Sequence, residues 1–234
     1  MSTASRLPQI AGRLIARLPR TVDASVRRLA VASLVGQTLL VVTGGAVRLT
    51  ASGLGCPTWP RCTDTSLVNT PEMGIHGFIE FGNRLLTFAL AAVALAMLVY
   101  LWNLRRERRD LFLLALGLLA SIPAQAVIGG ITVLTNLNPW VVGLHFLVSM
   151  ALVVIATLLV NRAYGRTGRH ATVQLPALPG VMRPVAAAVG LFSALAVMLG
   201  VVVTGSGPHA GDADAPATAS IGTCSPTSMP FRRT

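Results

Sequence analysis

Five stretches of this chain stay apolar over about the 20 residues that a helix needs to cross a bilayer. They run from about Leu29 to Leu49, Ile75 to Trp102, Leu111 to Leu134, Trp140 to Val160 and Pro184 to Thr204. Only helices can span in this way, because an open strand would leave its backbone groups unpaired in lipid. The pattern predicts an all-α fold, a polytopic transmembrane bundle of about five helices.

Arginines punctuate the apolar runs and set an orientation. Six lie in residues 1–28, four in the second connection (Arg105, Arg106, Arg108, Arg109) and four in the fourth (Arg162, Arg166, Arg169, Arg183). The opposite side has four: Arg48, Arg61, Arg232 and Arg233. By the positive-inside rule the N-terminus is expected in the cytoplasm of a bacterial cell and the C-terminus outside. The run after residue 28 is too long for a signal-peptide core, so 1–28 is expected to be a cytoplasmic basic arm. The remaining segments are 29–162, a four-helix half; 163–183, a cytoplasmic linker; 184–205, the fifth span; and 206–234, an extracytoplasmic tail.

Composition agrees with a membrane chain. Of 234 residues, 53% are hydrophobic and 12% charged, about half the charged share of a soluble domain. Mean hydropathy is +0.68. The net charge of +11 comes with no lysine. A basic balance can signal nucleic-acid binding, but here the arginines fall in short clusters between long apolar runs, and no nucleic-acid partner is expected.

One internal repeat stands out. Residues 39–45 read Leu-Leu-Val-Val-Thr-Gly-Gly and residues 200–206 read Gly-Val-Val-Val-Thr-Gly-Ser. Each closes a helix that starts inside and leads into a Gly-rich loop reaching a proline, Pro57 or Pro216. Membrane proteins often duplicate a bundle, so the fifth helix is expected to open a second half, with helices two to four not repeated. The polar tail 217–234 fits a truncation after that helix.

The first outer loop contains Gly55-Cys56-Pro57-Thr58-Trp59-Pro60-Arg61-Cys62. In an oxidising compartment a Cys56–Cys62 disulfide is expected; the alternatives are two free thiols or a metal site, which two cysteines alone rarely complete. Cys224 has no evident partner.

Polar groups inside membrane helices are costly and are functional candidates by default. Helix two opens with His76, Glu80, Asn83 and Arg84 along one broad face, and Glu80 and Arg84 at i and i+4 can pair. His145 lies five residues past Trp140 in helix four, about 7 Å into the membrane and in the same layer as Glu80. Gln125 and Gly129 share a face of helix three, beside Gly130 and Thr132. Small residues there, as at Gly44 and Gly45, admit a neighbouring helix or a flat ligand. A neutral imidazole, a carboxylate, an arginine and glycine walls suit haem, with His145 on the iron. They also suit a proton relay, and composition and spacing do not choose between the two.

These residues resemble the haem A synthase family, most closely its actinobacterial branch. The motifs are Val42-Thr43-Gly44-Gly45 with Arg48, the loop Gly53-Leu54-Gly55-Cys56-Pro57 to Cys62, Glu80-Phe81-Gly82-Asn83-Arg84, Gln125 with Gly129-Gly130-Ile131-Thr132-Val133, and Leu137-Asn138-Pro139 leading to His145. They cover residues 30–160 in order. The resemblance implies an eight-helix protein of two similar halves, the first binding the substrate haem O and the second a haem B cofactor. It implies oxidation of a ring methyl of haem O to a formyl group by successive hydroxylations, giving haem A for cytochrome oxidase. Glu80 then matches the catalytic glutamate, His145 the substrate-site histidine, and Cys56 and Cys62 the outer-loop pair. Arg84 is expected to pair with Glu80 or hold a propionate. Where many members carry a second histidine this chain has Asn83, a poor iron ligand, with His76 two turns earlier as the substitute. The histidines expected for haem B are missing. Expected partners are haem O, the lipid bilayer, haem O synthase and oxidase assembly proteins, with a second copy covering the unmatched fifth helix. The alternatives are an inactive haem-binding fragment and a non-haem transporter or anchor.

Overall fold

The computed structural model describes residues 18–165 and 182–206, together with positions 16 and 180; at Ser206 it describes the backbone alone. Most of the basic arm, most of the linker and the tail with Cys224 therefore lie outside the described residues.

Five helices follow the five apolar runs: α1 (Ala24–Leu49), α2 (Gly74–Tyr100), α3 (Arg109–Leu134), α4 (Pro139–Tyr164) and α5 (Met182–Ser206). All five are long and apolar enough to cross a membrane, and the described residues contain no strand. The protein is a multi-pass, all-helical membrane protein.

Helix ends follow local chemistry. The apolar run suggests a start near Leu29, but α1 begins five residues earlier because the Asp23 side chain accepts hydrogen bonds from the Ser25 and Val26 N–H groups at 3.0 Å. A short 3₁₀ turn, Pro71–Met73, leads into α2. Asn138 caps α4 by accepting from Trp140 N–H, with Pro139 in the first turn where a missing N–H costs nothing.

α1 packs on α2 and on α4, and α3 packs on α4. α2 and α3 close the ring less tightly, and α5 rests mainly on α4. Small residues set the close approaches: a Cβ at Gly36 would stand 2.8 Å from Leu90 of α2, and one at Gly143 would stand 2.6 Å from Val201 of α5. Outside its seat on α4, α5 presents a bare apolar surface, including Val189, Phe192 and Leu199.

The core is one-sided. Its buried apolar residues are Val26 and Ala30 of α1, Met97 and Leu101 of α2, Leu111, Ala115 and Leu118 of α3, and Leu152, Ala156, Leu159 and Ala163 of α4. They run from mid-bundle, at Leu152, to the end that carries the arginine-rich connections. Arginines also seal that end. Arg108 Nη2 donates to the Arg162 carbonyl at 2.9 Å and Arg27 Nε to the Ala163 carbonyl at 3.3 Å, placing cations on the negative terminus of α4. At the opposite end, which carries the Cys56–Cys62 loop, most of the buried positions are polar or small, including Ser52, Gly77, Glu80, Gly130, Thr132 and Gly143, and the apolar packing is limited to Val133 and a small cluster of Leu137 with Leu54 and Val142.

Candidate haem site

Glu80 and His145 each stand six residues past the first residue of their helices, α2 and α4. At 1.5 Å per residue each lies about 9 Å along its own helix from the end nearer the disulfide loop.

Glu80 is buried and its side chain is held from two sides. Its Oε1 lies 2.5 Å from Arg84 Nη2, and its Oε2 accepts from the Cys56 N–H at 2.6 Å. Arg84 spreads its guanidinium further. Nη2 donates to the Cys56 carbonyl at 3.2 Å and to the Thr58 carbonyl at 3.4 Å, and Nη1 to the Arg61 carbonyl at 3.3 Å. Of the two roles expected for Arg84 the structure displays the pairing with Glu80, and the remaining donors go to the loop. The i,i+4 pair is therefore a latch for residues 56–61, which the Cys56–Cys62 disulfide closes into a ring. Both cysteines are fully buried.

Two glycines explain how that loop sits so low. A Cβ at Gly55 would stand 2.3 Å from the His76 carbonyl oxygen, and one at Gly130 would stand 2.4 Å from the Trp59 ring. The loop thus rests its backbone on the first turn of α2 and its indole on α3.

His145 and Gln125 come together as their spacing suggests. Gln125 Nε2 donates to Ser149 Oγ at 2.7 Å and reaches the His145 carbonyl at 3.3 Å, while Ser149 Oγ donates to the same carbonyl at 2.8 Å. The imidazole edge lies along Gly129, where a Cβ would stand 3.4 Å from Cε1. His145 Nδ1 and Gln125 Oε1 are buried with no hydrogen-bond partner, which is expensive in a low-dielectric setting and marks a polar site rather than packing.

The other expected residues lie elsewhere. Asn83 Oδ1 is 2.7 Å from Thr43 Oγ1, which ties α2 to the Val-Thr-Gly-Gly segment of α1. His76 is exposed, with Nδ1 2.9 Å from Ser52 Oγ. It lines a depression of about 540 Å³ with Ala51, Leu54, Gly55, Pro57, Glu72 and Met73, apart from the Gln125–His145–Ser149 group. Gly44 and Gly45 have open space beside them. Sequence reasoning passed over Ser149, which stands at i+4 from His145, and Trp59, whose flanking prolines marked it as a fixed aromatic. It also passed over Ser33 and Gln37, buried polar residues of α1.

The protein-family model for cytochrome oxidase assembly proteins of the COX15-CtaA type matches residues 27–219. The chain belongs to this family. Among curated members, the heme A synthase of Lysinibacillus sphaericus is 34% identical over 137 residues, covering 56% of this chain and 43% of that protein. The heme A synthase of Bacillus pumilus is 35% identical over 134 residues, 53% of this chain and 42% of that one. The heme A synthase of Exiguobacterium sibiricum is 26% identical over 172 residues, 72% and 54% respectively. The chain thus spans about half the length of the curated family members it matches. No solved structure matches it.

Proposed function

We propose that this chain provides the substrate half of a haem A synthase, taking haem O from the membrane and presenting one ring methyl for oxidation to a formyl group. The observation that carries the reading is the partly buried His145 imidazole, whose Nδ1 is buried and unpartnered and whose edge lies along Gly129. A porphyrin iron takes such an imidazole as its axial ligand, and a glycine beside it leaves room for a ring plane.

The chain's residues then divide the work. Gln125 and Ser149 hold the α4 turn at the His145 carbonyl and so fix where the imidazole points. Glu80 sets a negative charge near the site, in a dry layer where a fixed charge acts strongly on charge that develops during oxidation. Arg84 keeps that carboxylate in place and holds the loop over it, which excludes water. Asn83 tightens α1 against α2.

The residues present do not fit haem B. Among the described residues the histidines are His76 and His145; His76 is exposed near the end of the bundle, and His145 lies deeper. Haem O synthase, oxidase assembly proteins and a second copy of the chain are partners consistent with this pathway. The Arg-rich end would face the cytoplasm of a bacterial cell and the disulfide loop the outside.

The test is pigment. The full chain purified from a host that makes haem O is expected to show Soret absorption. His145→Ala is expected to lose most of it, while Glu80→Gln keeps it. A colourless wild-type protein overturns the proposal, and wild-type spectra in His145→Ala remove that residue as the ligand.

A further inference from the structure

The disulfide loop reaches across the α2–α3 seam, the more open of the contacts between neighbouring helices in the ring. It is anchored on the α2 side by the Gly55 backbone, by the Cys56 N–H bond to Glu80 and by the Arg84 contacts. On the α3 side the described contact is the Trp59 indole on Gly130. Gly130 stands four residues before the end of α3, and Gly129, against which the His145 ring lies, five. These positions lie about 6–8 Å in from that end, close to the depth of His145.

Resting on the haem reading above, we infer that Trp59 is a positioning residue for the His145 site. It is the wedge that sets the α2–α3 spacing beside the imidazole and closes that flank of the porphyrin slot. Three observations support it. The seat is built for an aromatic ring, since any side chain at Gly130 would overlap the indole at 2.4 Å. The wedge is driven from α2, because the Glu80–Arg84 pair fixes the backbone on both sides of it, at Cys56, Thr58 and Arg61. The force is delivered next to the ligand, because Gly129 and Gly130 are consecutive residues of one helix and Thr132 Oγ1 stiffens that turn by donating to the Gly129 carbonyl at 2.5 Å. Glu80 and His145 are thereby linked through the loop as well as through any charge effect.

The inference predicts a coupled pair. In the full chain, purified from a host that makes haem O, Trp59→Ala and Gly130→Ala should each lower haem occupancy about tenfold, a binding loss of about 1.4 kcal/mol. They should also shift the Soret maximum of what remains. Trp59→Phe should restore both, which a merely structural loss would not. Trp59→Ala/Gly130→Ala should be no worse than Trp59→Ala, since the added methyl then meets no ring. Cys56–Cys62 reduction by a water-soluble phosphine serves as a haem-free readout and should accelerate in both single variants without a further gain in the double. A wild-type protein without pigment sinks the haem reading while the reduction rates still test the wedge. Wild-type spectrum and occupancy in Trp59→Ala, or two effects that multiply in the double variant, overturn the inference.

Discussion

The latch makes a quantitative claim on Arg84. Arg84→Met keeps an unbranched apolar stem and removes the guanidinium, so Glu80, whose side chain is 8% exposed, loses this cation and three loop carbonyls lose its hydrogen bonds, the Arg61 carbonyl keeping Thr58 Oγ1. Removing one partner of a fully buried ion pair costs about 3–5 kcal/mol. Arg84 is itself 23% exposed, which puts this case at the lower end, about 3 kcal/mol. The bonds tie down one loop rather than the bundle, so the cost appears as local opening. At 1.4 kcal/mol per factor of ten it amounts to about a hundredfold more open loop. Both cysteines have 0% exposure, so a bulky reductant attacks only the opened form. Detergent-solubilised protein treated with a water-soluble phosphine, with thiols counted by maleimide mass shift over time, should show Arg84→Met reduced about a hundredfold faster than wild type. Arg84→Lys, a point charge that reaches fewer of the four acceptors, should fall between. Equal rates for wild type and Arg84→Met would refute the latch.

Two further outcomes follow from the same contacts. Gly55→Ala places a methyl 2.3 Å from the His76 carbonyl, so the loop must lift; loss of about 1–3 kcal/mol is expected, read as a lower thermal midpoint, and an unchanged midpoint would show that the loop does not rest there. Gln125→Leu removes the bond to Ser149 and should cost about 0.6–1.7 kcal/mol of bundle stability, with a changed haem spectrum, because the α4 turn carrying His145 loses its brace.

The spans were legible because a 20-residue apolar run has one structural solution in lipid. The equal offsets of Glu80 and His145 from the starts of their helices were nearly legible because helical rise is fixed. The loop was not. Its path is set by contacts between residues distant in sequence, such as Cys56 with Glu80 and Trp59 with Gly130, and periodicity carries no trace of them. The same cause hid the fates of Asn83 and His76. Both share the broad face of Glu80 on a helical wheel, yet Thr43 from α1 takes up Asn83, and Ser52 from the loop takes up His76. The glycine pair at 129–130 could be read only as room for something; the structure divides it between an imidazole and an indole.

The one-sided core gives the bundle the mechanics of tweezers. Dense aliphatic packing makes the arginine-bearing end a pivot, and each arm is a 26- or 27-residue helix, about 39 Å long. A tilt of about 5° at that pivot moves the far tips apart by about 3 Å, nearly the thickness of an aromatic plane. Such a motion leaves the aliphatic cluster at the pivot in place and is resisted at the far end by the smaller cluster of Leu137, Leu54 and Val142.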